Sequence, residues 1–174
     1  VHYNSPTTHH QLPETNALNQ HTFIWQECGK SMYKQLLGTY LEQPHWDIRY
    51  VRFNGSVQER SEEYFISIDN KHTSRIKHIL PEDRPGQELA EQEARIIAHK
   101  TLLNIYDINA ENCTEISAVS SKKPHRLDWQ FIFAEKNQPH VKEGQTRIAI
   151  SIAGNELSGY CRYIHVPEEW VRTQ

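Results

Sequence analysis

The sequence has no apolar run long enough to span a bilayer. Its longest, Ile148 to Gly154, falls far short of the roughly 20 residues that a membrane helix needs. It has no excess of basic charge: 19 Lys and Arg stand against 22 Asp and Glu, a net charge of −3 with both signs interspersed. That leaves neither a footprint for nucleic acid nor a polybasic membrane patch, so no nucleic-acid partner is expected. Cysteine is scarce. Cys28, Cys113 and Cys161 lack any C-x-x-C spacing for a metal or redox centre. An odd count permits at most one internal disulfide, for which Cys113 and Cys161 are the pair to test; three separate thiols are the plainer reading. The zinc-hydrolase motif H-E-x-x-H is missing, as are G-x-S-x-G, G-x-G-x-x-G and the phosphate-binding Walker A loop. No signal peptide is visible and the first residue is Val, so the chain is expected to be an excised or processed piece of a longer protein.

What is present suits a polar globular chain. In 174 residues, 37% are hydrophobic and 24% charged, with a mean hydropathy of −0.76, enough for one large domain or two small ones. Residues Val1 to Gln20 are polar and aperiodic and read as a flexible tail or linker; His9-His10 in such a tail make a poor metal pair. From Thr22, a plausible N-cap, Ile24, Cys28, Met32, Leu36, Leu37 and Tyr40 recur at helical spacing until Pro44. Trp46 to Phe53 is aromatic and β-branched, Tyr64, Ile66 and Ile68 alternate, and Arg75 to Leu80 follows: three strands, with turns at Asn54-Gly55 and Asp69-Asn70.

Pro85-Gly86 marks a boundary, after which Ala90, Ala94, Ile97, Ala98, Thr101, Leu102 and Ile105 form the stripe of a second helix. Ile116 to Val119 suggests a short extra strand, and Asp128 to Ala134 a longer one with Trp129, Phe131 and Phe133 on one face. Ile148, Ile150 and Ile152 then alternate with Ala149, Ser151 and Ala153. Gly154-Asn155 turns the chain and Tyr160 to Val166 returns, a β-hairpin closed by Pro167.

The two halves repeat one another. Lys34 to Tyr40 matches Lys100 to Tyr106, Trp46-x-Ile48-x-Tyr50 matches Trp129-x-Phe131-x-Phe133, Ile66-Ser67-Ile68 matches Ile150-Ser151-Ile152, and Pro81-Glu82 matches Pro167-Glu168, in the same order. The expected fold is therefore α+β: a tail over residues 1–20, then two tandem units over 21–84 and 85–174. Each is a helix with its own three-stranded antiparallel sheet. Trp46 and Trp129 should occupy equivalent core positions, while Trp170, past the last strand, is exposed or docks back.

An αβββ unit of this kind resembles the PepSY-like and cystatin-like fold group. The runs Trp46 to Phe53, Glu62-Glu63-Tyr64, His78 to Gly86, Arg126 to Phe131, Arg147 to Gly154 and Val166 to Trp170 resemble the soluble region that precedes the membrane core of some bacterial CAAX-protease-like intramembrane metalloproteases. The resemblance spans about Phe23 to Arg172. It implies an extracytoplasmic accessory segment tethered to the membrane part of the same polypeptide, with a peptide or protein substrate as possible partner. No catalytic residue comes with it. That family's Glu-Glu-x-x-x-Arg and Phe-x-x-x-His motifs lie on membrane helices; here Glu62-Glu63 lacks the Arg, and Phe131 and Phe133 lack the His.

Other chemistry is weak. His165 with Glu168 could be imagined as metal ligands, yet they, like His78, precede or flank a Pro-Glu that the repeat itself explains. Cys161 and His165 stand about 13 Å apart along one strand, too far for a nucleophile and its base. No catalytic, cofactor-binding or metal-binding residue is assigned, and no cofactor is expected. The functional expectation is a non-catalytic accessory domain that handles substrate, regulates or senses. A free-standing secreted PepSY-type binding or inhibitor module is the alternative, and an enzyme with an unrecognised site a third reading. Exposed sheet edges could add a peptide strand by β-augmentation.

Overall fold

The computed structural model describes the backbone of residues 7–11, 15–53, 60–69 and 73–173, and the side chains of 17–52, 62–69 and 75–173. The side chains of His9 and His10, and the expected turn residues Asn54, Gly55 and Asn70, lie outside the described residues. The chain is α+β. Its strands are β1 (Thr7–Gln11), β2 (His45–Phe53), β3 (Arg60–Ile68), β4 (Thr73–Ile79), β5 (Cys113–Lys123), β6 (Arg126–Glu135), β7 (Gln145–Ala153) and β8 (Glu156–His165). They form one antiparallel sheet in the order β1-β2-β3-β4-β8-β7-β6-β5.

Two separate three-stranded sheets were expected; one continuous sheet is found. Each half ends in a strand with unpaired backbone groups, and joining β4 to β8 satisfies some of both. The seam is narrow: among the described residues, Ile76↔Tyr160 and Lys77↔Gly159 are the pairs across it. The second half contributes four strands, because the short segment foreseen at Ile116 to Val119 is an eleven-residue edge strand, β5. A bulge between Glu115 and Ser117 breaks its alternation, which hid its length. The tail also needs correction. Thr7–Gln11 pairs with β2, and helix α1 (Thr15–Phe23) already begins at Thr15. An edge strand contributes backbone hydrogen bonds and needs no apolar face, so a Thr-Thr-His-His-Gln run can serve.

The first helix is not the single rod expected from Thr22 to Pro44. Thr22 is no N-cap; its hydroxyl donates to the Leu18 carbonyl inside α1. A widened turn follows at Ile24–Cys28, and Gly29, at φ 81°, kinks the chain before α2 (Gly29–Leu36). The second helix, α3 (Glu91–Tyr106), is close to expectation. Glu93 accepts from the Ala90 amide at its start, and Ala94, Ala98, Thr101 and Leu102 are buried against β6 and β7. Ile105 and Ala90 of the foreseen stripe are exposed instead. A short α4 (Glu168–Arg172) closes the chain. There Trp170 docks back, edge-on to Phe23 at 5.2 Å with its indole N–H donating to Glu27.

The apolar core sits between the sheet and α1–α3. Phe23, Ile24 and Leu36 meet Trp129, Phe131, Phe133, Ile148, Ile150, Ile152 and Ile164 there. The first helix therefore covers the second half of the sheet, with α1 on β8, rather than shielding a sheet of its own. Tyr40 and Tyr106, matched positions of the repeat, both lie over the guanidinium of Arg162, at 5.1 and 4.4 Å. No described helix is long and apolar enough to cross a membrane.

Strands β2–β4 consequently form a wing with no described helix over it. The described side chains buried there are His45, Glu62, Glu63, Ser67 and His78, all polar. Cross-strand polar pairs replace an apolar core. Arg49 forks onto Glu63 at 2.8 and 3.0 Å, and Ser67 donates to Asp47 at 2.6 Å. This overturns the expected equivalence of the two tryptophans: Trp129 is 9% exposed and Trp46, on the wing, 53%.

Candidate binding trough

Alternation along β7 and the middle of β8 sends the large residues to the helices and the small ones to the other face of the sheet. Ala149, Ser151 and Ala153 of β7, with Gly159 and Cys161 of β8, therefore floor a trough of about 520 Å³ on the side without helices. Lys77 and Ile79 of β4 form one wall, and Asp128 and Gln130 of β6 the other. The volume lies in the range of ligand-binding clefts, roughly 300–1,000 Å³.

One end of the trough is tied shut. Arg126, at 3% exposure, donates from Nη1 to the carbonyls of Pro81 (2.6 Å) and Arg84 (2.9 Å) and from Nε to Asp128 (2.8 Å). Asp128 also accepts the Gly154 amide at 3.1 Å. Lys123 spans to Glu82 at 2.7 Å. The Pro81–Gly86 connection is thus laced onto the start of β6 and passes over the β7–β8 turn. Gly154 sits at φ 62° in that turn, where a Cβ would stand 3.0 Å from the Gln87 amide nitrogen. Glycine is favoured there on both counts.

Four cations, Arg75, Lys77, Lys123 and Arg126, line the trough against two carboxylates, Glu82 and Asp128. Both carboxylates are taken by Lys123 and Arg126, and Arg75 is paired with Glu42. Lys77 has no carboxylate partner among the described residues. Compared with known protein families, curated proteins and solved structures, the chain matches none.

Beside the seam lies a polar cluster that sequence reasoning missed, and its His78 also borders the trough. Glu62 is 5% and His78 8% exposed, and His78 Nε2–H donates to Glu62 Oε1 at 2.6 Å. Arg84 (3.0 Å) and Arg52 (3.3 Å) reach Glu62 Oε2, Tyr64 stacks on the imidazole at 3.8 Å, and Glu156 lies 3.9 Å from Nδ1. Burial alone would push the Glu62 carboxyl up. The hydrogen bond from His78, the charge of Arg84 and the hydrogen bond from Arg52 outweigh it and hold the group below its ordinary value. The only signal was register: β3 and β4 place Tyr64 opposite His78, with Glu62 diagonal to it.

The remaining candidates do not converge. Glu63 is occupied by Arg49. His165 ends β8 and Glu168 opens α4, and no group of three or more His, Cys, Asp or Glu among the described residues could hold a metal ion. All three cysteines are free, as the plainer reading had it: Cys113 belongs to the core under the helices and Cys161 lines the opposite face, so the one pair named for testing as a disulfide is separated by the sheet. Burial pushes all three thiols up. The expected result is slow iodoacetamide labelling of the native chain at pH 7.5, complete labelling in denaturant, and a mass unchanged by reductant. Fast native labelling would contradict these environments.

Proposed function

We propose that this chain is a non-catalytic binding module that holds an extended polypeptide in the open-face trough. We further propose that it serves as an extracytoplasmic accessory domain of a bacterial membrane protein, with a CAAX-protease-like metalloprotease as parent. The observation that carries the binding reading is the trough itself: a cleft floored by small side chains on a sheet face that no described helix covers. Small residues let a backbone approach closely, while Ser151 and Gln130 offer hydrogen-bonding groups beside it. The parentage rests on the sequence resemblance alone. We read the halves as duplicated helix-plus-sheet units over 21–84 and 85–174; the paired tyrosines flanking Arg162 support that reading.

A free-standing secreted PepSY-type binding or inhibitor module is the second reading. The edge strand β5 favours it, since its outer side is open to a partner strand among the described residues.

The test is selection of a displayed library of random dodecapeptides on the folded chain. Peptides should be recovered that bind wild type and are lost from the double variant Ala149→Leu, Ser151→Leu, whose larger side chains fill the trough. Peptides that bind both proteins equally, or none at all, would remove the trough as a binding site. The coding sequence on either side of the chain checks the parentage: several apolar spans of about 20 residues are expected.

A further inference from the structure

We infer that the trough selects acidic peptides, with a carboxylate of the occupant seated on Lys77. The inference rests on the reading of the trough as a peptide site and specifies its partner. The chain as a whole carries a net charge of −3, yet cations outnumber carboxylates two to one around this cleft. Its own acids cannot serve an incoming base. Glu82 is held by Lys123, and Asp128 is held by Arg126 and the Gly154 amide. Among the described residues that line the trough, the free charge is the Lys77 ammonium, on the β4 wall where that strand pairs with Gly159.

The floor beside Lys77 has no bulk to keep a peptide away, so a carboxylate two or three bonds from an extended backbone can reach the ammonium while the backbone lies on Ala149 and Ser151. A basic peptide meets the opposite situation: an unneutralised cation and, among the described residues lining the trough, no carboxylate that is not already paired. Charge complementarity of this kind governs encounter and choice of partner more than total affinity. Its signature is therefore discrimination.

The dodecapeptides recovered above are the probes. Asp and Glu should be enriched several-fold over the starting library in those that depend on the trough. One such peptide, fluorescein-labelled and followed by anisotropy, should bind Lys77→Glu about tenfold more weakly, since an exposed pair is lost and a repulsion of similar size replaces it. Changing the peptide's own acid to Lys should restore binding to Lys77→Glu and weaken it to wild type. The loss in Lys77→Glu should shrink as salt rises from 50 to 500 mM. Lys77→Gln, with an intermediate loss, separates charge from any effect on folding, which thermal melts of both variants monitor.

Trough-dependent peptides without acidic enrichment, or an affinity indifferent to Lys77, would overturn this inference and leave the peptide-binding reading intact. Recovery of no trough-dependent peptide overturns both. A dimer of the chain alone that Lys77→Glu dissolves would seat a second copy in the trough and equally overturn it.

Discussion

Replacing Trp129 by Ala is expected to cost about 3–5 kcal/mol, while the matching change at Trp46 costs no more than about 1 kcal/mol. Trp129 stacks on Phe131 at 5.9 Å, and its indole N–H donates to the Leu89 carbonyl at 3.0 Å, tying the entry to α3 onto β6. Its removal opens a cavity and strands that carbonyl. Trp46 is 53% exposed on a wing with no described helix above it, and truncation there opens no cavity. Urea melts of the two variants measure the difference, and the Trp129 variant should also melt roughly 10 °C lower. Similar losses at both positions would mean that the wing is covered in solution and that the two halves are packed alike.

The same contrast explains what the sequence could tell. Period-2 alternation at Ile148, Ile150 and Ile152 and the Gly154-Asn155 turn are local signals, and the β7–β8 hairpin forms where they place it, although β8 begins at Glu156, four residues before the expected Tyr160. Helix α3 was legible for the same reason. Alternation in β2 and β3 was equally clear, and those strands exist. What alternation cannot state is which helix covers a face. The first helix turned out to lie on β8, leaving Ile48, Tyr50 and Ile66 half-buried rather than enclosed.

Four misreadings share a physical origin. The break at Gly29 needs one residue at positive φ, which helical spacing tolerates. The full length of β5 is masked by a bulge and by serines suited to an edge. The edge strand β1 carries no apolar pattern at all. The trough is built from Ala149, Ser151 and Ala153, small residues that alternation marks only as the face opposite the core; its walls come from β4 and β6, distant in sequence. The pairing of β4 with β8 that brings them together is a tertiary fact without a local sign.

The wing's stability should depend on Glu62 in the way the body's depends on Trp129. Glu62→Ala removes the common acceptor of His78, Arg52 and Arg84 and is expected to cost about 2–3 kcal/mol, below the 3–5 typical of a fully enclosed ion pair. Arg84 and Arg52 are partly exposed and can turn to water, whereas the His78 ring stays enclosed beneath Tyr64. Acid should act in the same direction. The folded state holds the Glu62 carboxyl below the ordinary value of 4.5, so folding is favoured by its ionised form. That contribution is complete above pH 4.5 and fades as the pH falls through the lower folded value, because the folded chain resists a proton that the unfolded chain accepts. Glu62→Gln should therefore flatten the acid limb of the stability curve while lowering the plateau at neutral pH. Amide exchange localises the effect: in Glu62→Gln the protons of β3 and β4 should exchange faster with those of β6 and β7 unchanged, since among the described residues the wing joins the body's sheet through two residue pairs. If exchange rises evenly across all eight strands, wing and body unfold as one unit, and the polar cluster is part of a single cooperative core.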